Sequence, residues 1–263
     1  MKVSIIMLTY NAPVYVQHSI KSVKNNTTGV DYELIVYDNA SSDKTKRILN
    51  TLYKDGLIDK LFFSDKNYYF VGGNNRAVIK SSEDAEFILL LNSDIEIRNK
   101  KWLSSLLEVH KRGITACQVC DEYDLRPDGW CLLVDKDIYN DLKLDEKRFT
   151  WYFSVADFAS RVMNAGYSVQ SIRNYKHAIC HFGGASEIST SVAVSSLKSG
   201  ESVSDWFPHR CDLIDILNVP KSENVKSYFE IINIFLKIQK RIKKISKNIK
   251  PFFSFTCQYS ERG

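Results

Sequence analysis

Val3-Ser4-Ile5-Ile6-Met7-Leu8-Thr9-Tyr10-Asn11 begins as an apolar run and breaks into a polar triplet. A run like Val3–Leu8 is what a parallel strand shows when helices cover both faces of its sheet. The triplet behind it matters as much. In open parallel sheets ligands bind beyond the carboxyl ends of the strands, so chemistry is sought in the residues that follow each run. The pattern recurs twice. Leu34–Tyr37 leads into Asp38-Asn39-Ala40-Ser41-Ser42-Asp43, and Phe87–Leu91 leads into Asn92-Ser93-Asp94-Ile95-Glu96. Three polar turns therefore converge on one rim of the sheet.

Helical spacing fills the intervals. Val14–Val23, with Pro13 just inside its start, Ser42–Tyr53 and Trp102–His110 read as helices. So does a segment that Gly72-Gly73 opens and that runs to about Lys80. Leu61–Ser64 and Ile114–Val119 complete five strands. Further on, Trp130–Val134, Val169–Ile172 and Ala178–His181 look like strands, Lys136–Leu142 is a short helix, and Ala156–Ala165 is a helix ended by Gly166. Residues 186–222 are Ser-rich and polar without a clear period, and residues 225–249 alternate Ile, Phe and Leu with Lys and Arg at helical spacing. This order predicts an α/β fold: a mostly parallel mixed sheet with helices on both faces, plus a C-terminal helical extension. Residues 1–120 and 121–190 read as two halves of one domain, and 191–263 as an irregular segment followed by a basic amphipathic helix.

Composition narrows the classes. The net charge is +5, but residues 221–250 alone carry nine Lys and Arg against Glu223 and Glu230, so the remainder is slightly acidic. The basic stretch suits a solvated helix face, an anionic membrane surface, a phosphate-rich polymer such as nucleic acid, or a helical homodimer arm. No apolar run approaches the ~20 residues of a spanning helix. Met1-Lys2 leads straight into the first strand without a signal-peptide pattern, and the six cysteines are scattered. The expectation is a cytoplasmic protein, peripheral at the inner face of a membrane if the basic stretch docks there. Cys117-Gln118-Val119-Cys120 is a lone CxxC in an apolar stretch, and buried strand thiols explain it better than zinc or redox chemistry.

The three turns have a chemical reading. There is no G-x-G-x-x-G after the first strand and no G-x-x-x-x-G-K-[ST], which argues against a dehydrogenase-type dinucleotide site and a P-loop. A nucleotide can still bind. Asp38 could accept a hydrogen bond from the N–H of a uracil or thymine ring. A diphosphate needs charge compensation, and a divalent metal on Asp94 would supply it; hard oxygen ligands suit Mg²⁺ or Mn²⁺.

Four segments in order carry a family resemblance. They are Val3 to Asn11, Leu34 to Asp43, Asn67-Tyr68-Tyr69-Phe70-Val71-Gly72-Gly73-Asn74-Asn75, and Leu89 to Asp94. Together they resemble family 2 glycosyltransferases of the GT-A fold; the third looks like that family's N-x-G-F-x-x-G-x-N segment and the fourth like its D-x-D-type metal motif. The resemblance implies a nucleotide-sugar site formed by Thr9, Tyr10, Asn11, Asp38, Asn67, Gly73, Asn75, Asn92 and Ser93, with a UDP-sugar favoured. It implies a metal, Mn²⁺ or Mg²⁺, on Asp94. His181-Phe182-Gly183-Gly184-Ala185-Ser186 resembles the family segment whose His completes that metal site. Tyr69 departs from the pattern, standing where the family has glycine.

The resemblance also implies the reaction. A hydroxyl of a glycan or lipid-linked acceptor attacks C1 of the sugar, a carboxylate takes its proton, and the nucleotide diphosphate leaves with inversion. The family places that carboxylate in an acidic pair. Here the segment reads Ser154-Val155-Ala156-Asp157, with Val155 where the base usually stands, so Asp157 is the expected base and Asp145 and Glu146 are fallbacks. The thinned pair keeps open a catalytically weak or inactive nucleotide-sugar-binding scaffold of the same fold. Transfer to a protein or nucleic-acid acceptor also stays open. A nucleotidyltransferase is disfavoured, because no Gly-rich, Lys- or Arg-bearing loop follows the first strand.

Overall fold

In chain order the elements begin β1 (Lys2–Thr9), α1 (Pro13–Asn25), β2 (Asp31–Asp38), α2 (Asp43–Lys54), β3 (Lys60–Phe63), α3 (Tyr69–Val78), β4 (Phe87–Leu91), β5 (Ile95–Ile97) and α4 (Trp102–Val109). They continue β6 (Gly113–Cys117), β7 (Cys131–Asp135), α5 (Lys136–Leu142), α6 (Ser154–Asn164), β8 (Ser168–Ile172), β9 (Ile179–His181) and β10 (Asp212–Ile214). The structure, a computed structural model, describes residues 1–117, 127–151, 153–182 and 212–214. The chain divides into two units, Met1–Ser222 and Glu223–Gly263. The helix expected over 225–249, the basic stretch 221–250, Cys120 and the Gly183–Ser186 segment lie outside the described residues.

Eight strands form one sheet in the order β10-β8-β6-β7-β4-β1-β2-β3. β1 pairs in parallel with β2 and β4, and β3 extends the parallel array from β2. β7 runs antiparallel to both neighbours, β4 and β6, and β8 and β10 then resume parallel pairing beyond β6. The mostly parallel mixed sheet follows the α/β reading, with the C-terminal extension outside what is described.

The apolar runs are continuous because both faces of the sheet are covered. Ile6, Ile35, Ile88, Leu90, Leu132 and Val134 pack with Val71 and Ala77 of α3, Ile138 and Tyr139 of α5, and Phe158 and Val162 of α6. Ile5 and Met7, alternate residues of β1, are equally buried and project from the other face. Burial and the neighbouring Cys131 thiol push the Cys117 thiol well above its usual value, in keeping with inert strand cysteines.

Two differences from the sequence reading bear on the site. α3 starts at Tyr69, so Gly72 and Gly73 lie inside the helix and do not open it. Their purpose is approach: a Cβ on Gly73 would sit 2.7 Å from Leu8 Cδ1 and 3.2 Å from Asn39 Nδ2. A bare backbone lets the helix seat against the end of β1 without displacing the Leu8 side chain. The second difference is β5, which pairs antiparallel with β9 as a separate ribbon. α1 supplies its other edge, where Ser19 Oγ accepts the Ile95 N–H and Ser22 Oγ the Ile97 N–H, each at 3.1 Å. Three residues with a single sheet neighbour are too short to announce themselves by period.

Candidate active site at the carboxyl edge of the sheet

The loops after β1 and β2 are fastened to each other before any ligand is considered. Asp38, fully buried, accepts the Thr9 hydroxyl on one oxygen at 3.1 Å and the Ser41 N–H on the other at 2.9 Å. Asn11 donates its N–H to Ser41 Oγ at 2.9 Å and accepts the Ser42 N–H at 2.7 Å. Asp38 therefore organises both turns from within. Its side chain is fully buried in these contacts, where the sequence reading expects a contact with the nucleotide.

Asn39, also buried, ties these turns to the segment that opens α3. Its amide nitrogen donates to Asn67 Oδ1 at 2.7 Å and to the Tyr69 carbonyl at 3.1 Å, and its oxygen accepts the Tyr68 N–H at 2.8 Å. Asn67 Oδ1 also accepts the Tyr69 N–H at 2.7 Å. Two carboxamides thus pin the start of α3 to the end of β2. The backbone strains to allow it: Asn11, Ala40 and Tyr69 have φ of 48°, 62° and 56°. Such left-handed values in non-glycine residues gather at functional sites.

A small cavity of ≈ 50 Å³ opens beside these turns, lined by Thr9, Tyr10, Asn39, Asn67, Tyr69, Phe70, Asn92, Ser93, Asp94 and Trp151 among others. The turn after β4 forms its floor. Here β5 shows its value, because its register sets Ile95 opposite His181, and the Phe182 N–H extends the pairing to the Asp94 carbonyl at 3.0 Å. His181 Nε2 consequently stands 3.3 Å from Asp94 Oδ1 and 3.4 Å from Asn92 Nδ2. The imidazole is held flat by Trp130, with ring centroids 4.8 Å apart and planes 4° from parallel. Asp94 and His181, 87 residues apart in the chain, are therefore neighbours. Among the described residues no group of three His, Cys, Asp or Glu could hold a metal.

A second cavity of ≈ 150 Å³ adjoins the first through Phe70, Asn92 and Trp151, and is completed by Pro127, Asp128, Gly129, Trp130, Phe153, Val155 and Ala156. Aromatic walls suit the apolar faces of a sugar ring. Trp130 is buried, and its indole N–H meets no acceptor among the described residues. Trp102, by contrast, is spent in the core, donating to Thr27 Oγ1 at 2.9 Å.

Three expected site residues lie elsewhere. Asn75 donates to the Leu144 carbonyl at 2.8 Å and accepts the Tyr139 hydroxyl at 2.9 Å, so it locks α3 to α5. Gly73 faces Leu8, as described. Asp157 accepts Arg148 Nη1 at 3.2 Å and Arg161 Nε at 2.9 Å, one guanidinium on each oxygen. Its neighbours Val155 and Ala156 line the second cavity and Asp157, the expected base, does not. Asn39, Tyr69, Phe70, Asp128, Trp130 and Trp151 are wall residues outside the expected set. Asn39, Tyr69 and Phe70 stood inside motifs already singled out, whereas Asp128 carried no signal of its own. Among the described residues no helix is long and apolar enough to cross a membrane.

Residues 4–162 match the model of glycosyl transferase family 2. A GalNAc(5)-diNAcBac-PP-undecaprenol beta-1,3-glucosyltransferase of Campylobacter jejuni is 33% identical over 113 residues, 43% of this chain and 35% of that protein. An uncharacterized glycosyltransferase of Haemophilus influenzae is 34% identical over 111 residues, 41% of this chain and 43% of that protein. The alignments thus span well under half the length of either relative. Among solved structures, the mannosyltransferase PcManGT of Pyrobaculum calidifontis, in complex with GDP-Man and Mn²⁺, superposes over 65% of this chain and 55% of its own with a TM-score of 0.57 at 16% identity. TarS of S. aureus in complex with UDP-GlcNAc covers 62% of this chain and 53% of its own, at a TM-score of 0.50 and 20% identity. These similarities establish the GT-A-type fold.

Proposed function

This chain belongs to glycosyl transferase family 2, and on that premise we propose that it moves a sugar from a nucleotide-diphosphate sugar to a hydroxyl acceptor, inverting the anomeric carbon. The observation that carries the reading is the meeting of three strand-end turns around one cavity, with Asp94 in its wall and His181 3.3 Å behind that carboxylate. Tyr10 and Asn67 offer hydroxyl and carboxamide groups for a nucleoside, held from behind by Thr9, Asn11, Asp38 and Asn39. Asn92 and Ser93 lead from there towards the second cavity, where the sugar and the acceptor hydroxyl would meet.

Asp94 and His181 fit one divalent cation. Their 3.3 Å separation is close to the ~3 Å edge between adjacent ligands of a cation with ~2.1 Å arms. With no third acidic or imidazole ligand among the described residues, diphosphate oxygens and water would complete the shell. An imidazole ligand favours Mn²⁺ over Mg²⁺. When bound, the cation offsets the charge that grows on the departing diphosphate. The chain's own residues hold the imidazole flat against Trp130 and fix the Asp94 backbone through Phe182.

A UDP-sugar is the favoured donor, in line with the UDP-sugar seen in TarS; GDP-Man in PcManGT makes a GDP-sugar the comparison to run. A lipid-linked glycan is the favoured acceptor, in line with the polyprenyl diphosphate named in the Campylobacter relative. The basic stretch 221–250 would then hold the chain at an anionic membrane surface.

A thermal-shift screen tests the donor site. UDP-, GDP- and dTDP-sugars are titrated with and without Mn²⁺, and a ligand bound only by the native state must raise Tm. The expected result is a rise with one nucleotide class that grows with Mn²⁺. In Asp94→Asn the Mn²⁺-dependent part should vanish while the nucleotide-dependent part stays. No shift with any donor, or a Mn²⁺ effect that survives Asp94→Asn, would sink this reading.

A further inference from the structure

An acceptor hydroxyl must lose a proton as it attacks, and the first turn of α6 offers nothing to take it. Val155 and Ala156 form the cavity wall there, and both oxygens of Asp157 are engaged by Arg148 and Arg161. Among the described residues that line the ≈ 150 Å³ cavity, one carboxylate is present, Asp128, on the segment leading into β7. The neighbouring Gly129 shows how close that segment comes to α6. A Cβ there would lie 2.8 Å from Val155 Cγ2 and 2.9 Å from Phe70 Cζ. Asp128 is thus carried to the same opening that a side chain at position 155 serves. The segment is also tied to the proposed metal turn, since Asn92 donates its N–H to the Trp130 carbonyl at 2.8 Å.

We propose that Asp128 is the proton acceptor of the transfer reaction, standing in for the carboxylate that α6 lacks. The assignment rests on the glycosyl-transfer reading above. In the step, the acceptor oxygen bonds to C1 of the sugar as its proton passes to the Asp128 carboxylate. The bond from C1 to the diphosphate oxygen breaks, and the nucleoside diphosphate leaves with the electron pair. Trp130 walls the subsite, with its ring stacked on His181. Phe70, Trp151 and Phe153 exclude water around the reacting oxygen.

The test uses the full chain with Mn²⁺ and a panel of UDP-glucose, UDP-GlcNAc, UDP-galactose and GDP-mannose, and reads nucleoside diphosphate released to water with and without sodium azide. Azide attacks C1 as an anion and has no proton to give up, so it bypasses a missing base. Asp128→Asn should keep the wild-type thermal shift with UDP or GDP, lose at least ~100-fold of the release to water, and regain release with azide as a glycosyl azide forms. Asp128→Glu should retain a measurable part of the release to water. Release by Asp128→Asn within about threefold of wild type would overturn the assignment. So would a variant that binds donor yet gains nothing from azide. A wild-type chain that neither binds nor cleaves any donor would instead overturn the glycosyl-transfer reading on which the assignment stands.

Discussion

At the scale of the residue, Tyr69 holds a φ of 56° where the resembling family has glycine. A side chain in that region costs on the order of 1–2 kcal/mol. The position is held by its own carbonyl, which accepts from Asn39, and by its N–H, which donates to Asn67. Replacing Tyr69 with Ala removes the ring and keeps the strain, whereas Gly removes both. Tyr69→Gly should therefore be more stable than Tyr69→Ala by about 1 kcal/mol, read from urea unfolding midpoints. Equal midpoints would show that the loop relaxes out of the left-handed region. The same scale shows what the motifs could reveal. Thr9, Tyr10, Asn92, Ser93 and Asp94 were legible as wall residues, because a polar group directly after a buried strand has few places to go but the sheet edge, and Asn67 was legible through the family resemblance. The motif could not show that Asp38 and Asn75 spend their polar atoms on neighbouring backbone and hydroxyl groups. That depends on partners 3 to 69 residues away in the chain.

Among the elements, the long strands and helices were legible because burial on both faces of a sheet, or one face of a helix, writes a period. β5 writes none, yet its register with β9 is what brings His181 to Asp94. α6 teaches the complementary lesson. Its sequence places an acid in the first turn, where a helix N-terminus favours a carboxylate, but helical rotation turns Val155 to the cavity and Asp157 to the arginines. Arg161 continues the link, donating to the Leu142 carbonyl at 2.5 Å and the Lys143 carbonyl at 2.7 Å. Asp157 thus clasps α6 to the loop after α5. Asp157→Asn weakens one guanidinium contact at each oxygen. Since Arg148 is half-exposed and Arg161 a third exposed, screening limits the loss to about 1–2 kcal/mol. A lower unfolding midpoint with an intact donor-induced thermal shift is the expected outcome. An unchanged midpoint would remove the clasp from the account.

Over the whole molecule, the edge of the sheet opposite the site carries its own buried charge. Glu33 of β2 is 6% exposed and receives Ser4 Oγ, Lys60 Nζ at 2.9 Å, the Ser82 N–H at 2.7 Å and Ser82 Oγ at 2.8 Å. It joins β1, β2, β3 and the loop after α3. Burial alone would raise its pKa, but these donors outweigh it and hold the carboxyl at about 2, against the usual 4.5. The sign of the linkage follows. The unfolded chain takes up this proton at a higher pH than the folded one, so the stabilisation is full above about pH 4.5 and is lost as pH falls towards 2. Its full size is on the order of 3 kcal/mol. Glu33→Gln removes the charge while keeping the shape. At pH 7 the variant should unfold at lower urea, and the gap between the two midpoints should close as pH is lowered from 5 to 3, within the window that the two pKa values set. A gap independent of pH would mean that Glu33 contributes through shape and neutral hydrogen bonds alone. Donor binding, at the far edge of the same strands, should be unaltered at pH 7 in either chain, because nothing in this network reaches the cavities. The fold thus separates an acid-labile brace at one edge of its sheet from the carboxamides of Asn39 and Asn67 and the Asp94 carboxylate that line the cavity at the other.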